Sequence, residues 1–183
     1  MLNIPNTLTL LRIASIPAIL IALDNHRFEL AFILFVAAGV TDGLDGGIAR
    51  MTNTRTQLGA YLDPLADKGL VLSLLIKLTL LGEIAGWVLT IILTRDIVCL
   101  SGYVLLFFLT GEQIEVRPSM VGKLATLLQL LGVGGILLVL VQPSLREALP
   151  CDAIFAAAAA ATAFAGFQYV IRGLRWYQTR PAT

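Results

Sequence analysis

The sequence predicts an all-α integral membrane protein of six transmembrane helices, with both termini on the cytoplasmic side. Three observations lead there. Of the 183 residues, 57% are hydrophobic and only 14% are charged, against about 25% charged in a typical soluble domain. Six stretches approach the roughly 20 mostly apolar residues that a membrane helix needs. Lysine and arginine fall unevenly between alternate connections, which is the bias that orients such helices.

Taken in order, the spans are residues 6–23, 29–50, 57–82, 85–110, 119–141 and 150–174. The first opens on "IPNTLTLLRI" and stops at the polar run "DNHRFE". The second is apolar until a dense acidic cluster and closes at "RMTNTRT". The third closes at "LGE", the fourth at "TGEQIEVRPS" and the fifth at "QPSLREALPCD". Pro118 and Pro150 stand where a helix begins, a place that tolerates proline. Short loops should make sequence neighbours antiparallel, and no tail or linker is long enough for a second domain. One membrane domain over residues 1–183 is therefore expected.

The start of the chain has no basic cluster before its apolar run and no clear small-residue cleavage site, so it does not read as a cleavable signal. Cys99 and Cys151 make no disulfide framework and read as ordinary thiols. A net charge of +1 gives no reason to look for nucleic acid.

Orientation follows from the cations. The even-numbered connections and the C-terminal segment hold Arg50, Arg55, Lys68, Arg117, Lys123, Arg172, Arg175 and Arg180. The odd-numbered connections hold Arg27 and Arg146. Setting aside Arg50 and Lys68, whose positions function could dictate, still leaves the same bias. The cation-rich side is the cytoplasmic one. Small residues, "GVGG" at 132–135, the alanines 156–161 and Gly166, let helices approach closely. Plain helix packing is the preferred account of them.

The chemistry concentrates in "TDGLDGGIARMTNTRTQLGAYLDPLADKG", residues 41–69. Asp42 and Asp45 are three apart and share a helix face, with Gly46 and Ala49 on that face and Arg50 at its edge. Gly59, Asp63 and Asp67 repeat every four residues and form a second stripe. Glycines beside acids leave room for a ligand. A short turn between the stripes should bring four carboxylates together near the cytoplasmic boundary. Unpaired, they are costly there, so either their protonation shifts or a cation joins them. All-oxygen ligands favour hard ions such as Mg²⁺, Mn²⁺ or Ca²⁺ over zinc. The only histidine, His26, lies in the opposite connection. Magnesium paired with phosphate is the natural combination, and Arg50 and Arg55 add phosphate-binding capacity. A salt-bridge network of these acids with Arg50, Arg55 and Lys68 is the purely structural alternative. An ion channel or transporter with an acidic cation site is another, weakened because such pathways spread their acids through the membrane depth. Pro64 removes a backbone hydrogen bond beside Asp63, and a local kink is expected there.

These positions spell D-x2-D-G-x2-A-R-x8-G-x3-D-x3-D, and the pattern resembles the CDP-alcohol phosphatidyltransferase family. The opening "IPNTLTLLRI" is similar to that of family members, and the family also has a six-helix core. The resemblance implies an enzyme that takes CDP-diacylglycerol and an alcohol, forms a new phosphodiester and releases CMP. It implies that Asp42, Asp45, Asp63 and Asp67 hold one or two divalent ions, Mg²⁺ or Mn²⁺, and that Asp67 is the general base. It places Gly46, Ala49, Arg50, Thr56 and Gly59 at the CDP-diacylglycerol site, with Asn6 and Thr9 on its diphosphate side. It also suggests a homodimer in the inner membrane.

The motif leaves the acceptor open. An acceptor with a phosphate monoester needs extra cations, and Arg95, Arg117 and Lys123 are the candidates. Phosphatidylglycerophosphate synthases often show Arg-Glu here, a second arginine two turns on and two lysines near the start of helix 5. This chain has Arg95-Asp96, then Tyr103, and only Lys123 in "GKLAT". "TRDIV", "SMVGKLATLLQ" and "QYVIRGLRWY" resemble instead the cardiolipin synthases of the CDP-alcohol type. The sequence therefore favours phosphatidylglycerol as acceptor, with glycerol 3-phosphate as the alternative. An Arg95–Asp96 ion pair is the bland reading of Arg95. Tyr169, Trp176 and Tyr177 read as interfacial anchors.

Overall fold

A computed structural model describes residues 4–52, 57–110 and 119–178. It consists of six helices: α1 (Ile4–Asp24), α2 (Phe28–Thr52), α3 (Gln57–Leu80), α4 (Gly86–Thr110), α5 (Met120–Val141) and α6 (Cys151–Gln178). A single 3-10 turn, Pro143–Leu145, follows α5. Among the described residues, three segments are long and apolar enough to cross a membrane: Gly86–Leu106, Met120–Val141 and Cys151–Arg175. Phe28–Thr41 is a shorter apolar stretch. All six expected helices are present. α3 runs as one helix through Pro64.

The first two odd-numbered connections close with the same hydrogen-bond pattern. After α1, the His26 N–H donates to the Leu23 carbonyl and the Arg27 N–H to the Ala22 carbonyl. After α3, Gly82 N–H donates to Thr79 and Glu83 N–H to Leu78. Both are helix stops with one left-handed residue, and that residue is Gly82 at φ 81° or His26 at φ 55°. Glycine takes this conformation without a Cβ penalty.

Two compact units divide the chain. One comprises residues 1–83 and 133–150. In it α1 packs on both α2 and α3, around Ile19, Leu23, Leu74, Leu75, Leu78 and Leu137, each 1% exposed or less. Lys77 pairs with Asp24, and Arg146 with Glu83. Gly69 faces Ile16 across the α1–α3 contact, and Gly134 lies against Phe35. Because Ile16 meets Gly69 and Asp24 meets Lys77, α3 runs parallel to α1. The three-residue turn at 25–27 makes α2 antiparallel to both.

The other unit comprises residues 84–132 and 151–183, with α4 packed on α6. Ile92, Phe155, Ala158, Ala159 and Ala165 form its interior. Here the small residues do the packing that the sequence suggested. Gly132 lies so close to the Phe155 ring that a Cβ would stand 2.8 Å from it, and Gly166 gives way to the Arg95 stem. The buried Gln129 Nε2 donates to Thr162 Oγ1 at 3.0 Å, and Thr162 Oγ1 donates to the Ala158 carbonyl at 2.6 Å. Such a chain satisfies polar atoms within the apolar interior. Neither Cys99 nor Cys151 is in a disulfide.

Candidate functional site

Asp42, Asp45, Gly46, Ala49 and Arg50 all lie on α2, and Gly59, Asp63 and Asp67 on α3. Regular helix over both stretches puts each acid pair on one face, about 4.5 Å apart along the axis for three residues and about 6 Å for four. Counted from the 53–56 connection, Asp45 and Asp63 lie seven and six residues into their helices. Asp42 and Asp67 each lie ten residues in. α2 and α3 run in opposite directions and both pack on α1. Asn6 and Thr9 lie in the first two turns of α1. Thr56 and Arg117 lie outside the described residues. Among the residues whose side chains are described, no cluster of three or more His, Cys, Asp or Glu side chains could hold a metal ion. The donors that fit one are the four motif aspartates, an all-carboxylate set suited to a hard divalent cation.

A second constellation is built where α4, α6 and the start of α5 meet. Arg95 extends from α4, and its Nη1 donates to Asp96 Oδ1 at 2.8 Å. The ion pair foreseen for Arg95 is therefore real. The guanidinium also lies over the Tyr169 ring, 5.2 Å from its centroid. Its Nε is buried and has no hydrogen-bond partner among the described residues. The Tyr169 hydroxyl accepts the Ser119 N–H at 3.0 Å, and Ser119 Oγ accepts the Gly122 N–H at 3.0 Å. Ser119 thus caps α5, as a serine just ahead of a helix commonly does. Lys123 follows on the first turn of α5, exposed. A cavity of about 880 Å³ runs from Arg95 and Tyr169 along α4 and α6, past Cys99, Tyr103, Leu106 and Gly173.

Tyr169, read from the sequence as an interfacial anchor, has a half-buried ring that lies beneath the Arg95 guanidinium, a contact that the sequence did not foretell. Only the "PS" ahead of α5 hinted at the Ser119 cap.

The model of one family, CDP-alcohol phosphatidyltransferase, matches residues 2–167. The chain belongs to that family. As a CDP-alcohol phosphatidyltransferase it is a phospholipid-synthesising enzyme. A probable phosphatidylglycerophosphate synthase of Mycobacterium tuberculosis (strain H37Rv) is 36% identical over 179 residues, 94% of this chain and 82% of that protein. The CDP-diacylglycerol–glycerol-3-phosphate 3-phosphatidyltransferase of Bacillus subtilis (strain 168) is 37% identical over 153 residues, 75% of this chain and 78% of that protein. A Mycobacterium bovis protein with a provisional cardiolipin synthase name is 36% identical over 138 residues, 75% of this chain and 65% of its own.

Proposed function

We propose that this phosphatidyltransferase uses glycerol 3-phosphate as acceptor and makes phosphatidylglycerophosphate. The observation that carries this is similarity along 94% of the chain to a relative named for that reaction. The similarity to a cardiolipin synthase name reaches 75% at the same identity. It displaces the phosphatidylglycerol acceptor that Tyr103, the single lysine of "GKLAT" and the "QYVIRGLRWY" pattern favoured. Those departures lie outside the aspartate motif, and one arginine or lysine more or less does not define an acceptor.

One or two Mg²⁺ or Mn²⁺ ions, held by Asp42, Asp45, Asp63 and Asp67, would neutralise the diphosphate and improve CMP as a leaving group. Gly46, Ala49, Arg50, Thr56 and Gly59, with Asn6 and Thr9, would seat CDP-diacylglycerol. Arg95, Arg117 and Lys123 would hold the acceptor's phosphate. Asp67 would take the proton from the acceptor hydroxyl. That oxygen then bonds to the lipid-linked phosphorus, and CMP leaves with the electrons of the broken phosphoanhydride bond. The site belongs at a membrane boundary because its donor is half lipid and half nucleotide. In this reading all six helices form one inner-membrane domain over residues 1–183, with site and termini facing the cytoplasm, working as a homodimer.

The test is CMP release by the full chain in nanodiscs containing CDP-diacylglycerol, with Mg²⁺ present. Release that depends on added glycerol 3-phosphate supports the proposal. Release that ignores it, or ion flux without CDP-diacylglycerol, contradicts it.

A further inference from the structure

We propose that Tyr169 is the positioning residue of the acceptor end of the site, its ring fixing Arg95 and its hydroxyl fixing the first turn of α5. The inference rests on reading Arg95 as an acceptor contact and goes beyond it by naming what holds that contact in place.

Arginine has a long stem, and each rotamer it gives up on binding weakens the complex. Here the stem is already confined. Its Cγ lies 3.0 Å from where a Cβ on Gly166 would stand. Asp96 holds Nη1 at 2.8 Å. The Tyr169 ring supports the guanidinium at 5.2 Å, with the negative face of the ring toward the cation. Nη2 comes within 3.7 Å of where a Cβ on Gly122 would stand. The arginine is thereby presented to the start of α5, where backbone N–H groups favour an anion and where Lys123 stands.

Tyr169 touches both halves of this arrangement. Its ring meets Arg95, and its oxygen accepts the Ser119 N–H at 3.0 Å. A Cβ on Gly122 would stand 3.6 Å from that same hydroxyl. The two contacts can be removed separately. Phenylalanine keeps the ring and loses the oxygen, tryptophan keeps a ring face, and leucine loses both.

The experiment measures CMP release in nanodiscs as a function of each substrate, for Tyr169→Phe, Tyr169→Trp, Tyr169→Leu, Arg95→Ala and the Arg95→Ala/Tyr169→Leu double variant. Tyr169→Leu should raise the acceptor KM about tenfold, from loss of the cation–π support, and leave the CDP-diacylglycerol KM within about twofold. Tyr169→Phe and Tyr169→Trp should stay within about threefold of wild type for the acceptor, while Tyr169→Phe lowers Tm because the Ser119 N–H loses its acceptor. In the Arg95→Ala background Tyr169→Leu should add no further acceptor effect. Equal rises in both KM values, or additive effects in the double variant, would overturn the assignment. So would Tyr169→Phe matching Tyr169→Leu for the acceptor; if the leucine variant does not fold, a rise of about tenfold in the acceptor KM of the ring-retaining Tyr169→Phe and Tyr169→Trp overturns it instead. If Arg95→Ala leaves the acceptor KM unchanged, the acceptor reading of Arg95 fails and Tyr169 with it. If Arg95→Ala raises it and Tyr169→Leu does not, Tyr169 alone fails.

Discussion

Replacing Gly132 by alanine adds one methyl group at a point where the structure has no room for it. Its carbon would lie 2.8 Å from two Phe155 ring atoms and 3.1 Å from a third. Carbon atoms settle at about 3.5–4.0 Å, so ring or helix must retreat by roughly an ångström. The ring cannot swing into open space, because Phe155 is 2% exposed and Ala158 and Ala159 beside it are fully buried. Overpacking of this kind costs about 1–3 kcal/mol. Alanine also improves helix propensity by about 1 kcal/mol over glycine, which offsets part of it. Gly102 on α4 separates the two terms, since a Cβ there meets nothing within 4 Å among the described residues. Gly102→Ala should therefore be neutral or stabilising, and Gly132→Ala less stable than Gly102→Ala by about 1–3 kcal/mol. Equilibrium unfolding in mixed micelles reads the difference directly. Phe155→Leu in the Gly132→Ala background should recover part of the loss. Gly132→Ala as stable as Gly102→Ala would refute the packing argument.

Other outcomes follow from the same geometry. Asp67→Asn should lower CMP release by about 10²–10⁴-fold, the usual worth of a general base, while circular dichroism and Tm stay near wild type. Chelation of divalent ions should abolish turnover, and Mg²⁺ or Mn²⁺ should restore it; activity that survives exhaustive chelation would contradict the carboxylate site. Thr162→Val should cost about 1–2 kcal/mol in unfolding, because it strands the buried Gln129 Nε2, and pairing it with Gln129→Leu should recover much of that.

How far the sequence carried depended on what kind of signal encoded each feature. α1 to α5 begin and end within about two residues of the spans read from hydropathy, because apolar length and polar punctuation are local properties. α3 stops at Leu80 because Gly82 adopts a left-handed conformation, which the "LGE" punctuation foretold. α6 continues four residues past its expected end, to Gln178, since "RWYQ" contains no helix breaker. The helices that carry the acidic motif, α2 and α3, were legible for the same local reason, and the shared faces of its aspartates remain an expectation of helical periodicity. Arg95, Ser119 and Tyr169 were not legible as a group. They come from α4, α6 and the residue ahead of α5, and Ser119 and Tyr169 are separated by 50 residues, so only packing brings them together. The proposed acceptor differs from the one the sequence favoured for a related reason: Tyr103, Lys123 and the short patterns around them are local signals, whereas the similarity to a relative runs along 94% of the chain.

The most direct test of the central claim offers both acceptors at once. The full chain in nanodiscs would receive CDP-diacylglycerol, Mg²⁺, phosphatidylglycerol and isotopically labelled glycerol 3-phosphate, with the lipid products resolved by mass spectrometry. Labelled phosphatidylglycerophosphate should appear in step with CMP. Cardiolipin formed in its place, with the label left in water, would contradict the claim.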